Sequence, residues 1–520
     1  MKNKILLVIL IFLGTFTVFE GFAQDSFFSN TKDKDSSSEP SALAIGGKIN
    51  TGSRYFFNYD TFKDVNIKNS DDLKSFLNTI SLFPYIETSV NLKYSGENVQ
   101  AFISLNNDIN ENSSGITSAL ANSKGFAGFI AMFNEAYIHL FMPTLDLLAG
   151  YAKVVWGKGD GMHVIDRLNA DDYRDFINRD YLDRRIAVPI IKLGITAGET
   201  GYLEFAYEPV FTPDIYPESG IWFPAQALAL QSGITSAVEN LVMATYTSVY
   251  NDTYNSTYQS VLTSVGDPDQ AQYAAVQAAQ LAAVSAAQNI QDEDHYILPD
   301  TNTLLYSQLA GRYTFSYSGL DLGFSDYYGF LRDPVIDTSS LAAEGKVNIS
   351  YDRVNTFGFE SSAVIFGFNT WSEVAYNLTS DYKGDNSMAH NNSIQYLAGF
   401  DRDLPIHNLY INIQLIGSYI INNDMIEAGD IQYRSDNLYS NNTLAWSISD
   451  TFLNDTLKLQ FDGAYSFEHG DYMFRPKADF AFTDNLHLTV FYTYFQGDSD
   501  TDFGQFKNNS FAELKLAYNF

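Results

Sequence analysis

The sequence predicts an all-β fold: a single closed antiparallel transmembrane β-barrel of about 18 strands (16–20), with an α-helical insertion in one extracellular loop. Three observations predict it. Candidate strands alternate apolar and polar residues with a period of two, and short turns alternate with long polar loops along the chain. The composition is also typical of such a wall, because 40 Phe and 35 Tyr accompany only 13 Pro.

The last strand shows the alternation most clearly. From Ser510 to Phe520, alanine, leucine and aromatic residues alternate with charged or polar ones. A barrel wall needs one apolar face toward lipid and one polar face toward water. An amphipathic edge strand of a soluble protein is the alternative for this segment taken alone. We expect Glu513 and Lys515 to face the lumen, and the terminal Phe520 to be recognised by the barrel-assembly machinery.

Eight candidate hairpins lie between a first strand at 44–58 and a last strand at 508–520. They pair 82–95 with 97–107, 134–142 with 145–156, 187–196 with 201–211, 302–317 with 320–331, 346–366 with 368–380, 391–402 with 407–422, 436–450 with 455–468, and 471–483 with 486–497. Longer connections separate the hairpins, except for the short link 468–471. Brief periplasmic turns and long outer loops are typical of outer-membrane barrels, whereas the connections of a soluble sandwich do not sort into two length classes.

The N-terminal segment predicts export. Two lysines precede a short apolar run, and small residues follow it. We interpret 1–23 as a signal peptide, 24–43 as a disordered periplasmic leader and 44–520 as the barrel. The predicted location after cleavage is the outer membrane of a Gram-negative bacterium, where lipid and lipopolysaccharide surround the wall.

Composition excludes several function classes. The formal charge of −31 argues against nucleic acid as a partner, because nucleic-acid binding needs basic patches. Cysteine is absent, which excludes a lipoprotein anchor, a disulfide framework and a cysteine metal site. The seven histidines form no metalloprotease or hydrolase motif. We therefore predict no enzyme activity, no metal site and no cofactor.

Charged residues at inward positions of the strands are candidates for the lining of the lumen. The alternation places both signs there. A lining of this kind fits a hydrated channel, although paired charges that simply fill the barrel are the alternative. The predicted lumen residues are Arg312, Arg353, Arg402, Lys458, Arg475, Lys477, Glu513 and Lys515.

The connection 157–186 is dense in both Asp and Arg and also contains apolar residues. Folding into the lumen satisfies both groups, and three glycines at its start permit a sharp turn from the wall. We expect this charged loop to narrow the channel; an external lid held by salt bridges is the alternative. The predicted constriction residues are Lys158, Asp160, Asp166, Arg167, Asp171, Arg174, Arg179, Arg184 and Arg185.

A spaced set of Gly, Trp, Arg and Pro residues follows the second hairpin, beginning with Gly150-Tyr-Ala-Lys-Val-Val-Trp-Gly-Lys-Gly-Asp-Gly161 and continuing to Leu203-Glu-Phe-Ala-Tyr-Glu-Pro-Val-Phe-Thr-Pro213. With this set, residues 145–224 resemble a largely uncharacterised family of porin-like outer-membrane proteins, itself similar to the alginate-export barrels. The resemblance implies a wide single-chain barrel whose charged loop contacts solutes. Its many Asp residues depart from a purely basic anion path. The implied solute contacts are Lys158, Arg167, Arg174, Arg184 and Arg185.

The segment 225–291 differs from the rest, because it is rich in Ala, Gln, Ser and Thr with helical spacing. Gly266 interrupts the pattern, and Asp267 followed by proline predicts the start of a second helix. We expect a helical hairpin whose second helix has an apolar side that includes Tyr273 and Leu281. Such a hairpin can cap the mouth, plug the lumen, bind a partner or simply face solvent.

The leading functional hypothesis is an outer-membrane channel for small hydrophilic or amphiphilic solutes. A surface protein for adhesion or structure, or a transporter of hydrophobic compounds, are the alternatives. No wall stripe is more polar than the others in the sequence pattern. The sequence therefore predicts no particular oligomeric state.

Overall fold

The computed structural model describes residues 43–58, 70–78, 80–109, 133–175, 177, 180–217 and 219–520. The predicted signal peptide and nearly all of the predicted leader lie outside these residues. Within them, eighteen antiparallel strands form a closed barrel. The predicted fold class and strand number are confirmed.

The barrel strands, numbered in chain order, are β1 Leu43–Phe57, β2 Ile80–Ser95, β3 Val99–Ile109, β4 Phe133–Phe141, β5 Leu145–Ala152, β6 Val188–Ala197, β7 Gly201–Glu208, β8 Gln308–Tyr317, β9 Leu320–Asp337, β10 Val347–Ile365, β11 Phe368–Thr379, β12 Ser393–Asp403, β13 Tyr410–Ile420, β14 Ser440–Phe452, β15 Leu457–Ser466, β16 Tyr472–Thr483, β17 Leu486–Gln496 and β18 Ser510–Asn519. Strands that follow each other in the sequence are neighbours in the ring. The ring closes where β1 pairs with β18, with Lys48 opposite Asn519.

The two faces of the wall follow the pleat. Directly opposed residues on neighbouring strands share a face, so a single inward side chain fixes the orientation of its neighbours. On β18, Leu514, Leu516 and Tyr518 are exposed on the outside, while Glu513 is buried inside. The alternation predicted for the last strand is therefore present in the barrel.

The helices are α1 Ser70–Leu77, α2 Tyr181–Arg184, α3 Ala225–Val265, α4 Pro268–Asp292 and α5 Leu341–Glu344. In the described part of the chain, no helix combines the length and the apolar character that a membrane crossing requires. Two compact units emerge from the internal contacts, and the smaller one includes Pro224–Asp300 and Asp333–Tyr351.

The smaller unit contains the predicted helical insertion, which is confirmed. Gly266 ends α3 in the left-handed region at φ 74°, and the side chain of Asp267 accepts hydrogen bonds from the backbone N–H groups of Asp269 and Gln270 at 3.0 and 3.3 Å. These contacts satisfy donors that the first turn of a helix leaves free. A hydrophobic core packs α3 against the ends of β9 and β10. It contains Ile234, Val238, Ile336, Val347 and Ile349.

The packing face of α4 differs from the prediction. Four alanines at intervals of four residues are fully buried, namely Ala271, Ala275, Ala279 and Ala283. Tyr273 and Leu281, expected on a buried apolar side, are 71% and 76% exposed. Small side chains let two helices approach closely, and this close approach outweighs the larger apolar area on the other side of the helix.

Candidate functional site: the charged lumen

The inner face of the barrel carries most of the predicted lumen residues. Arg312 bridges Glu204 at 3.1 Å and also binds Glu360. Arg475 is buried and donates to the hydroxyl of Thr493 at 3.0 Å. The structure places these predicted residues on the inner face: Arg312, Lys458, Arg475, Lys477, Glu513 and Lys515.

Arg353 and Arg402 were predicted inside, and the structure places both outside. Val354 is buried among inward side chains, so the adjacent Arg353 faces outward, where its guanidinium lies 5.1 Å from the ring of Tyr328. Arg402 lies opposite Ile411 on the outer face and stacks 4.7 Å from the ring of Phe368. Long stems and aromatic contacts let arginines lie on an outer wall near strand ends, which a simple charge pattern does not predict.

Inward charges of both signs occur around most of the ring, but their balance differs from one part to another. Basic side chains concentrate on β15, β16, β18 and β1: Lys458, Arg475, Lys477, Lys515, Lys48 and Arg54. Three inward carboxylates lie among them: Asp462, Asp479 and Glu513. On β7 and β10 to β12 the charged inward residues include only carboxylates, among them Glu204, Glu208, Glu360, Glu373, Asp401 and Asp403. We call these two parts of the lumen the basic side and the acidic side, according to the sign that predominates.

The charged loop 157–186 is fastened to the acidic side by one carboxylate. Glu373 on β11 is fully buried and accepts the backbone N–H groups of Lys158, Gly159 and Val164 at 2.7, 2.8 and 2.8 Å. The Nδ1 atom of His163 lies 2.9 Å from the same carboxylate. Hydrogen bonds from several N–H groups stabilise the charged form of a carboxylate. The backbone of the loop therefore stabilises a buried charge on the wall.

The first glycine of the loop is required by this contact. Gly157 has φ 119°, a conformation that favours glycine, and a Cβ atom there would lie 2.3 Å from the carboxylate of Glu373. A larger residue at position 157 therefore displaces the carboxylate. The predicted sharp turn from the wall occurs at this residue.

Two further wall strands hold the same end of the loop. Asn412 on β13 donates to the carboxylate of Asp160 at 2.5 Å, and Gln414 donates to its carbonyl oxygen at 2.8 Å. Arg167 donates to the side-chain oxygen of Gln395 on β12. These partners are inward residues of β11 to β13, so the loop lies against the inner wall and not outside the mouth.

The other end of the loop is held by the basic side of the ring. Arg54 on β1 is 1% exposed and binds Asp175 of the loop and Glu513 of β18, both at 2.8 Å. Arg475 on β16 donates to the carbonyl oxygen of Ile177. The charged loop thus contacts opposite sides of the ring and crosses the lumen.

Several predicted constriction residues bind each other within the loop. Arg185 forms an ion pair with Asp166 and donates to the carbonyl oxygen of Asn169 at 2.7 Å. Arg184 lies 3.5 Å from Asp171. Both arginines are nearly inaccessible, at 1% and 4% exposure. They hold the loop in shape and are not available to a passing solute.

The remaining constriction residues are more accessible or lie outside the described residues. The side chain of Lys158 is 29% exposed and lies 4.0 Å from Asp321. Arg174 is 43% exposed and binds Asp172 at 2.7 Å. Arg179 lies outside the described residues. Solute contact by Lys158 and Arg174 stays a prediction.

A second segment across the lumen was not predicted. Residues 211–217 and 219–222, here called the crossing segment, follow β7 and pair with the charged loop, where Tyr173 N–H donates to Ile215 O at 2.7 Å. Its Trp222 is fully buried at the opposite wall, 5.8 Å from the ring of Phe56 and 5.7 Å from that of Phe511. In the sequence, this segment is marked by a tryptophan and two prolines. These residues do not specify which distant part of the wall the segment contacts.

Accessible charge remains beside the loop on the basic side. Lys48 binds Asp183, and the two side chains are 32% and 39% exposed. The half-buried position of Asp183 raises its pKa, but the nearby ammonium groups of Lys48, Lys153 and Lys515 lower it, and the net pKa is below the ordinary value. We call this group of three lysines and one aspartate the lysine cluster.

Comparisons with known proteins give architectural similarity at low identity. No protein-family model and no curated protein matches the chain, so the porin-like resemblance of 145–224 is a hypothesis and the relation to alginate-export barrels is not shown. Solved structures that resemble it include Salmonella typhi OmpF in complex with daunomycin (8% identity, TM-score 0.37, 92% of this chain and 97% of that chain). Others are Acinetobacter baumannii OccAB4 (8%, 0.42, 92% and 98%) and Pseudomonas aeruginosa OccK5 (7%, 0.39, 92% and 98%). At these sequence identities and TM-scores, the similar structures do not indicate a function for this chain.

Proposed function

We propose that the protein is an outer-membrane channel for small hydrophilic solutes, with the charged loop 157–186 as its constriction. The supporting observation is a closed barrel with an apolar outer face and a charged inner face, whose lumen is crossed by the charged loop and by the crossing segment. Lipid favours the first face, and water and polar solutes favour the second. A wall of this kind suits the outer membrane, so we propose that location. Recognition of β18 by the barrel-assembly machinery stays a prediction.

The path for solute runs on the basic side of the charged loop. Carboxylates on the acidic side, such as Glu360 and Glu373, are buried against arginine or loop N–H groups. The lysine cluster, by contrast, is partly exposed between β1, β18 and the loop. Exposed ammonium groups lower the energy of an anion nearby, so we expect solutes with a carboxylate or other anionic group to pass more readily than cations.

Planar-bilayer recording tests the proposal. The purified protein should give discrete conductance steps, and its reversal potential in a salt gradient should show anion preference. Replacing Lys477 and Lys515 together by Gln should lower that preference with little change in the size of the steps, because the fastening of the loop is untouched. Lys383→Gln is the control, since Lys383 is exposed in the connection between β11 and β12 and is not part of a barrel strand. Silent bilayers would contradict the channel and favour a surface adhesin.

A further inference from the structure

The outer face of β9 and β10 carries polar groups in the interior of the wall. Asp326 lies six residues above the periplasmic end of β9, and its carboxylate accepts a hydrogen bond at 3.1 Å from the side chain of Asn355 on β10. Both face outward, because Ser325 pairs with the inward Arg312 and Val354 is buried inside. The adjacent rings of Phe324, Tyr328 and Phe357 are about half exposed.

This position differs from the rest of the wall. Along the other described strands, the outward charged side chains are Arg402 and Asp450, and both lie beside periplasmic turns. There a side chain reaches water readily. A carboxylate within the apolar band is instead exposed to lipid, which is unfavourable. Asp326 therefore indicates that something other than lipid covers this part of the wall.

Polar character continues down the same face. The hydroxyls of Ser361 on β10 and Ser372 on β11 are opposite each other and hydrogen-bonded at 2.8 Å. Across from Asp326, position 311 on β8 is a glycine, and the ring of Phe205 on β7 lies 3.7 Å from where a Cβ atom at this position would be. Small residues beside a polar group permit close approach by another protein surface.

We infer that this face binds a second copy of the chain in the same membrane orientation. Two copies in one membrane are related by an axis along the membrane normal, so groups at one height meet groups at the same height. Asp326 and Asn355 are neighbours at one height, one an acceptor and the other a donor. A twofold axis between β9 and β10 brings Asp326 opposite the partner's Asn355, and the same contact repeats on the other side of the axis.

The hydrogen-bond donor and acceptor on this face favour a second copy of the chain over other partners. A cationic partner protein would satisfy Asp326 but would leave the amide donors of Asn355 facing a positive surface. The outward Arg353 on the same face already donates to the backbone oxygens of Ser307 and Leu305. A copy of the same face then provides one acceptor for one donor on each side, and its exposed rings pack against equivalent rings. The interface is independent of the proposed channel activity, because none of these residues faces the lumen.

Cross-linking in native membranes tests the inference, and the natural chain has no cysteine to interfere. Asn355→Cys should give a cross-linked species of twice the chain's mass with a short bis-maleimide. Val490→Cys, an exposed outward position on β17, is the matched control and should stay at the monomer mass. Equal cross-linking of both variants, its absence in both, or a product with a different protein overturns the inference.

A second variant removes the polar contact without adding a thiol. Asp326→Leu with Asn355→Leu makes the wall uniformly apolar, so the barrel should fold and migrate as a heat-modifiable monomer while the oligomer is lost. Asp450→Leu removes a carboxylate from another part of the wall and should leave the oligomer intact. An oligomer that persists in the double variant would overturn the inference.

Discussion

The charged loop 157–186 and the helical insertion at α3 and α4 are both long connections between consecutive barrel strands, and they are stabilised in opposite ways. The charged loop is fastened by side chains more than 200 residues away, such as Glu373 and Asn412. The helices are fastened by their own backbone, by a local cap at Asp267 and by a stripe of alanines.

The two segments are stabilised differently because they differ in their content of charged residues. A loop dense in Asp and Arg cannot be buried unless each charge finds a partner, and a barrel wall offers partners on every side. The helical insertion has few charges, and the whole stretch between Lys192 and Arg312 contains no Lys or Arg. Its conformation therefore depends on local propensity and close packing. The charged loop is held by partners on the barrel wall, whereas the helical insertion is held by its own helix pair and by a core that includes Ile336 and Val347 at the strand ends.

The largest expected effect is the release of the charged loop by Glu373→Ala. Three short hydrogen bonds lose their acceptor, at a cost of about 1–3 kcal/mol for each buried donor left unsatisfied. Conductance should rise several-fold, and trypsin should cleave after Arg167, while helical circular dichroism is unchanged. Glu360→Ala is the control, because Glu360 lies directly opposite but binds Arg312. Unchanged conductance and continued protection would show that the loop does not depend on this carboxylate.

Arg54→Met should have the next largest effect. It leaves the buried carboxylates of Asp175 and Glu513 without their shared cation, at a cost of about 3–5 kcal/mol. The thermal midpoint of the folded barrel on heat-modifiability gels should fall. Lys93→Met, which removes an exposed lysine from β2, should leave the midpoint in place. Equal midpoints for the two variants would contradict the assigned role of Arg54.

A smaller effect, confined to the helices, is expected from Ala275→Leu with Ala279→Leu. Overpacking costs about 1–3 kcal/mol at each site. Amide hydrogen exchange in α3 and α4 should accelerate without any change in conductance. Ser285→Leu on the exposed side of α4 is the control and should leave exchange rates as they are. A change in conductance on overpacking would contradict the local stabilisation of the insertion.

The smallest effect is expected from Asp267→Ala. Loss of a helix cap costs about 1 kcal/mol. The amides of Asp269 and Gln270 should exchange faster, because they donate to Asp267. Asp292→Ala at the last residue of α4 is the control and should be neutral or slightly stabilising, since a negative charge at a helix C-terminus is unfavourable. Equal exchange at the first turn in both variants would contradict the cap.

The sequence by itself determined the strands, their two faces, the alternation of turns and loops, and the start of α4 at Asp267. Each is a local pattern: a period of two, a turn residue, or a cap within three positions. The same reasoning placed Arg353 and Arg402 inside, because near strand ends the charge pattern no longer indicates which face is apolar.

Only the tertiary structure decided where the charged segments lie. Glu373 meets the N–H groups of 158–164, and Trp222 meets Phe56, across distances in sequence that no local pattern spans. Arg184 and Arg185, which were predicted to contact solute, are buried in ion pairs with Asp171 and Asp166 of the same loop. Closing a barrel creates an interior, and the partners available there depend on every strand at once.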